Sequence, residues 1–337
     1  MSTNNLPFGI LKATPEDFVV QELVGNRPMA VPFSRETRIH GWDGCSPVTI
    51  FEMSKCGCET EAAEWEMAQQ LGVSIRDISH YGTKDKQALT SQLVGVRGRF
   101  QPDFSHPDIS LVQLPSQDLS WVKFHTQHKL AFGGNYGNRF NIFIHSLATK
   151  LDLAAVSVPF PNLFGTQRLN TLGTEQIGRL FLEGKPEQAI DLLLTTPSAK
   201  KFLRVQKLAG GSWEAALSHP EFERSFRFEI MKWQSFLWNK LCQEKFQELG
   251  DKLPETLPMW NLREEVYEMY RHLWDPPYLN DRVLGRVALS ERPTMLLPEN
   301  FQAKREAFGW RFSFDIPSGS FATVVLPQLF QLEEHHV

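Results

Sequence analysis

"RFNIFIH", residues 139–145, is the stretch whose reading decides the fold. Phe140, Ile142 and Ile144 recur at every second position, the period of a strand with one face buried. "TSQLVGVRG" (90–98) alternates in the same way, while "DFVVQEL" (17–23) and "PVTIFEM" (47–53) are short and rich in β-branched residues. "TEAAEWEMAQQLG" (60–72) lies between them and reads as a helix stopped by Gly72. Strands with a few interspersed helices predict an α+β domain around a mixed or antiparallel sheet.

The character changes after "VPFPNLFG" (158–165). Residues 174–208 carry helical periodicity, and "RFEIMKWQSFLWNKLCQEKFQELG" (227–250) is a long amphipathic helix with Ile230, Trp233, Leu237 and Leu241 on its apolar stripe. Pro-rich stretches, "LPETLPMW" and "WDPPY", read as loops. The strand pattern returns at "GWRFSFDIP" from residue 309, followed by a Gly-Ser turn and the apolar "SGSFATVVLPQLF". A helical middle between two strand-rich ends predicts an insertion into a sheet domain. The sheet domain takes residues 1–158 and 296–337, and the insertion residues 159–295.

At 337 residues the chain is more comfortable as two domains than one. A hydrophobic share of 42% with 22% charged residues is that of an ordinary globular protein. No stretch approaches the ~20 apolar residues of a membrane span. No basic-then-apolar leader is visible, so a cytoplasmic location is expected. Of Cys45, Cys56, Cys58 and Cys242, only the "CGC" pair is closely spaced, and no second Cys or His pair stands at zinc-site spacing. Free thiols in a reducing compartment, no metal and no cofactor are expected.

The net charge of −4 argues mildly against a nucleic-acid partner, but its distribution matters more. Between Asp118 and Asp152 there is no acid, while Lys123, Lys129, Arg139 and Lys150 fall inside with His125, His128 and His145. A second acid-free run holds Lys200, Lys201, Arg204 and Lys207. Either patch could be a solvated face; together they permit polyanion binding.

"HYGTKDKQAL" (80–89) sets Asp85 between Lys84 and Lys86, which alone reads as a charged turn. Its company decides otherwise. "KATPEDFVVQE" (12–22), "YGTKDKQALTSQ" (81–92), "GNRFNIFIH" (137–145), "PNLFGTQRL" (161–169), "WQSFLWNKL" (233–241) and "IPSGSFATVVL" (316–326) follow in that order. The set resembles the TruD family of tRNA pseudouridine synthases. That family opens with K-x-x-P-x-D-F-x-V-x-E and has a G-x-K-D-K/R-x-A-x-T-x-Q core. It continues through G-N-x-F, N-x-F-G-x-Q-R and Q-S-x-L-x-N to a closing G-S/C-F/Y-A-T.

The resemblance implies a pseudouridine-synthase-like catalytic domain, an inserted TRUD-type domain, and a cleft between them that holds tRNA. It implies isomerisation of a uridine, position 13, and makes Asp85 the catalytic carboxylate. A nucleophilic carboxylate must stay ionised in a partly desolvated pocket, which a nearby cation favours. Lys84 and Lys86, as neighbours on an extended segment, point away from Asp85 and suit phosphates instead. The first-block Lys12 is the implied cation. Phe18, Asn138 and Phe321 fall on the substrate-contacting positions, where aromatic faces and an amide suit an extruded uracil. On their own, Phe18 and Phe321 read as core, Asn138 as a turn residue and Phe140 as core. Arg168, beside Gln167, suits a phosphate contact or an ion pair. The sequence departs from the family at Leu163, at Leu169 and Asn170, and at Pro327, which puts RNA contacts near the domain junction in doubt.

A monomer is favoured. Two rivals are a non-catalytic RNA-binding protein on the same scaffold and an Asp-nucleophile glycoside hydrolase. The second asks for a raised-pKa partner acid, for which Glu16 and Asp17 are unconvincing candidates.

Overall fold

A computed structural model describes residues 6–25, 27–28, 37–44, 46–115, 121–126, 129–131, 133–169, 173–196, 199–217, 219–280, 284–285 and 287–334. Cys45, His128 and Asn170 lie outside these. The chain divides into two compact units, Met1–Val158 with Leu297–Val337, and Pro159–Leu296.

The first unit is built on a mixed sheet whose principal strands are β1 (Phe8–Leu11), β2 (Phe18–Val24), β3 (Val48–Cys56), β4 (Ile78–His80), β5 (Leu89–Arg97), β6 (Ile109–Gln113), β7 (Gly137–His145), β8 (Glu299–Glu306), β9 (Gly309–Pro317) and β10 (Gln331–Glu334). The main path runs β8-β9-β7-β2-β5-β3-β6, with β4 on β5 and β1 bridging β7 and β10. Pairing is antiparallel except for β2 with β5 and β1 with β10. The "RFNIFIH" stretch is thus the strand held on both sides, by β2 and β9.

Its register builds one face of the sheet. Phe18, Ile142 and Phe312 share a row; so do Val20, Phe140 and Phe314; so do Glu22, Asn138 and Ile316. Phe140 stacks on Phe314 at 5.6 Å and meets Phe18 edge-on at 5.8 Å, a favourable aromatic geometry. Gly137 is required where it stands: a Cβ there would run into the Ile316 carbonyl. Helix α1 (Thr60–Leu71) closes the β3–β5–β6 end of this face. Its Ala63, Met67, Ala68 and Leu71 cluster with Phe51, Met53, Val94, Val96 and Leu111. Gly72 ends it in the left-handed conformation, φ 68°, that glycine tolerates best.

The second unit is helical: α2 (Gln176–Leu182), α3 (Pro186–Leu194), α4 (Ala199–Leu208), α5 (Pro220–Leu249) and α6 (Glu264–Tyr270) are its principal helices. Ile230, Trp233, Leu237 and Leu241 of α5 are core, as their spacing predicts, with Trp238, Trp260 and Tyr270 packed beside them. The stretch read as a Pro-rich loop contains a short strand, Thr256–Pro258, paired with Glu291–Pro293. No helix among the described residues is long and apolar enough to cross a membrane, and none of their His, Cys, Asp and Glu side chains group as a metal site would require.

Candidate active site

Asp85 sits in the loop between β4 and β5, half-buried. The loop crosses the sheet face that carries Gln92, Lys55 and Glu22, and side chains from that face hold its backbone. Gln92 donates through Nε2 to the Gly82 carbonyl at 3.2 Å. The Lys84 amide donates to Thr60 Oγ1 at 3.0 Å, from the first residue of α1. Lys55 Nζ donates to the Asp85 carbonyl at 2.8 Å and to that of Lys84 at 3.4 Å. At the loop's root the Tyr81 carbonyl accepts from Gly133 N at 2.7 Å, and the Tyr81 hydroxyl accepts from Lys123 N at 2.7 Å.

Lys84 does not face outward toward phosphate, as its position in a charged turn suggested. Its ammonium turns into the sheet and meets Glu22 Oε1 at 2.6 Å, with the carboxylate wholly out of solvent. The other Glu22 oxygen accepts from Leu93 N at 2.9 Å. A buried ion pair of this kind holds only if its remaining hydrogen-bonding capacity is satisfied, and the strand amide does that. Lys86 is exposed, 3.7 Å from Glu59. Neighbouring lysines therefore part company, one structural and one solvated.

Lys12 precedes β2 in the left-handed region, φ 60°, uncommon for a residue with a side chain and a mark of constraint. Its ammonium lies 4.5 Å from the Phe18 ring centroid, a cation–π distance. Phe18 is 1% exposed, so its ring is a core element, and Lys12 above it is itself buried. Asn138 lies in the row of Glu22, half-buried, and its Oδ1 is sealed from solvent with no hydrogen-bond partner among the described residues. An orphaned acceptor is costly in a native fold.

Phe321 is half-exposed and caps the short helix Ala322–Val325. It follows β9 by a turn in which Ser320 N donates to the Pro317 carbonyl at 3.1 Å. Pro317 pairs with Gly137, and Ser318 clips onto Tyr136 O and Asn135 Oδ1, each at 3.1 Å. The "GN" and "GSFAT" blocks are thereby tied to one end of the β7–β9 ladder.

Sequence reading missed Lys55, Glu22, Thr60 and Gln92 as holders of the loop. Lys55 was the legible one, since Phe51, Met53 and Lys55 share a strand period that buries the lysine. It is wholly buried, which lowers its pKa to about 8, while Cys58 and then Asp85 pull the value back up. Glu64 and His80 lie 3.6 Å apart below the loop. Burial raises the glutamate to about 7 and lowers the histidine to about 4, so at neutral pH the imidazole carries no charge.

Of the basic patches, Lys123, His125 and Lys129 are exposed on and beside a short hairpin, but Arg139 is not available. Its guanidinium makes a two-point pair with Asp315, at 2.7 and 2.8 Å. Lys200, Arg204 and Lys207 lie on α4 of the helical unit, all three exposed along with Leu203. In the same unit Arg168 lies 4.7 Å from the Phe228 ring; burial lowers its pKa and Glu229 draws it back up.

A profile of the family described as tRNA pseudouridine synthase D (TruD) matches residues 2–254. The chain is 23% identical to the tRNA pseudouridine synthase D of Haemophilus influenzae over 347 residues, 96% of this chain and 94% of that one. It is 32% identical over 196 residues to a protein of Thermococcus onnurineus provisionally named tRNA pseudouridine synthase D, which is 55% of this chain and 42% of the relative. The chain spans less than half the length of the archaeal relatives it matches. Its fold is similar to a crystal structure from Methanosarcina mazei, also provisionally named TruD, with a TM-score of 0.53 at 20% identity, over 97% of this chain and 94% of that one.

Proposed function

The chain belongs to the TruD family of tRNA pseudouridine synthases, and from that premise we propose that it isomerises uridine 13 of tRNA to pseudouridine, with Asp85 as the catalytic carboxylate. The reaction breaks the N1–C1′ bond and joins C1′ to C5; C5 loses a proton and N1 gains one, with no net redox change. What supports the reading most is the loop itself: its backbone at Gly82, Lys84 and Asp85 is fixed from buried side chains. Fixing a reacting group on a rigid frame lowers the entropic part of the barrier. A solvated turn has no need of such holding.

In this reading Lys12 supplies positive charge near the reacting nucleotide, and Phe18 supports it from beneath. The half-buried Asn138 carries an amide, the group that can pair with the edge of a flipped uracil. Phe321 offers an aromatic face for the base. The unit formed by Met1–Val158 and Leu297–Val337 is then the catalytic domain, and Pro159–Leu296 the inserted domain, whose exposed α4 lysines and arginine suit the tRNA backbone.

The test is to treat unmodified tRNA transcripts with wild-type and Asp85→Asn protein and map pseudouridine chemically. Product at position 13 from wild type alone is expected. No product from wild type would sink the isomerase reading; full activity in the variant would sink the role of Asp85.

A further inference from the structure

Lys55 is a buried cation beside the Asp85 loop that the reaction scheme above leaves unused. It occupies the next-to-last position of β3, and its side chain is 0% exposed. Its ammonium donates to the carbonyls of Cys58 and Asp85, each at 2.8 Å, and more weakly to that of Lys84 at 3.4 Å. An ammonium has three hydrogens, and three carbonyls face it.

Burying a charge is expensive, so a purely mechanical tether would more economically be neutral. Neutral tethers already exist here, because Thr60 and Gln92 hold the Lys84 amide and the Gly82 carbonyl. What Lys55 adds is fixed positive charge behind Asp85. The groups facing it are Cys56 and Cys58 from its own strand end and turn, Asp85 and Lys84 from the loop, and the neutral Thr60 and Gln92 from α1 and β5. Lys84 spends its own charge on Glu22.

We propose that Lys55 is a positioning residue for the isomerisation, its charged ammonium holding the Lys84–Asp85 backbone so that the Asp85 carboxylate is aimed at the nucleotide. This rests on the reading of the Asp85 loop as the active loop. Because burial brings the ammonium to about 8, its proton is lost at mildly alkaline pH. The loop then keeps a hydrogen-bond donor but loses the charge.

The test is the single-turnover rate of pseudouridine formation on saturating tRNA transcript, followed from pH 6.5 to about 9.5, for wild type, Lys55→Met and Lys55→Arg. The wild-type rate is expected to fall along an alkaline limb centred near pH 8. Lys55→Arg, charged throughout this range, should move that limb to higher pH. Lys55→Met should lower the rate at pH 7 by about 100-fold, the scale of a misplaced reacting group, with tRNA affinity unchanged. Wild-type activity with Lys55→Met within about threefold of it would overturn the positioning role alone. If Lys55→Met does not fold, the wild-type profile decides: a rate that stays level to about pH 9.5, or a limb that Lys55→Arg leaves in place, overturns the proposal. No product from wild type at any pH would instead overturn the isomerase reading on which it rests.

Discussion

Two buried cations hold two of the chain's signature segments, and they do so to different ends. In the helical unit Arg292 donates to the Asn162 carbonyl at 2.8 Å, to Asn162 Oδ1 at 3.0 Å and to the Leu163 carbonyl at 3.3 Å. Its guanidinium lies 4.0 Å from the Phe164 ring centroid. Asn239 completes the hold, accepting from Phe164 N and donating to Phe164 O. In the sheet unit Lys55 holds carbonyls of the Asp85 loop. Burial lowers both cations, the arginine to about 9 and the lysine to about 8. The arginine's charge is spread over aromatic faces and its segment ends in core packing. The lysine's is a point charge behind a half-exposed carboxylate. Similar backbone capture thus fixes a core-packed segment in one unit and the half-exposed Asp85 loop in the other.

The largest effect should come from Asp85→Asn, which removes the carboxylate and leaves its holders in place. We expect a loss of at least about 10³-fold in turnover, with the thermal midpoint nearly unchanged; a large stability loss would make Asp85 another scaffold element. Next is Glu22→Gln, which leaves the Lys84 ammonium buried without a counter-charge. Removing one partner of such a pair costs about 3–5 kcal/mol, to be read by urea denaturation, and retention of full stability would show the pair to be incidental. Arg292→Met should cost about 2–4 kcal/mol through unpaired carbonyls. Activity per folded molecule, measured well below the melting range, should stay within about twofold of wild type, and a selective loss of turnover would erase the contrast between the two cations.

The smallest effect concerns Glu64, beside His80 under the loop. Its folded pKa, about 7, lies above that of an unfolded glutamate. Between pH 4.5 and 7 the folded chain therefore holds a proton that the unfolded chain has released. This group's contribution to stability falls as pH rises through that window and stays low above it. Glu64→Gln, neutral at every pH, should raise stability by about 1–3 kcal/mol at pH 8 and change it little near pH 4. A gain that is the same at both pH values would show that the carboxyl is not the cause.

What the sequence made legible follows from the range of the interactions. Local periodicity placed the β2, β3, β5, β7 and β9 strands and ended α1 at Gly72, because those signals lie within one element. The reading of Arg139 as part of a basic patch failed because its partner, Asp315, sits on β9, far along the chain. The same holds for Lys84, which neighbour geometry correctly turned from Asp85 but could not direct to Glu22. Asn138 and Phe321 were assigned roles only through resemblance; that the Asn138 oxygen is left without a partner is a property of packing across β2, β7 and β9, which no local pattern encodes.

The parallel pairing of β1 with β10 sets Phe8 against Gln331 and Leu11 against Glu334. On a ribosome, the first strand waits while the entire helical unit is made and can collapse on its own contiguous sequence. β8 and β9 emerge only afterwards, and without β9 the strand that carries Asn138 has an open flank on one side. The β7–β9 ladder that carries Asn138 is therefore among the last parts of the molecule to come into being, and a nascent chain stalled after the helical unit would have that unit finished and its sheet unfinished.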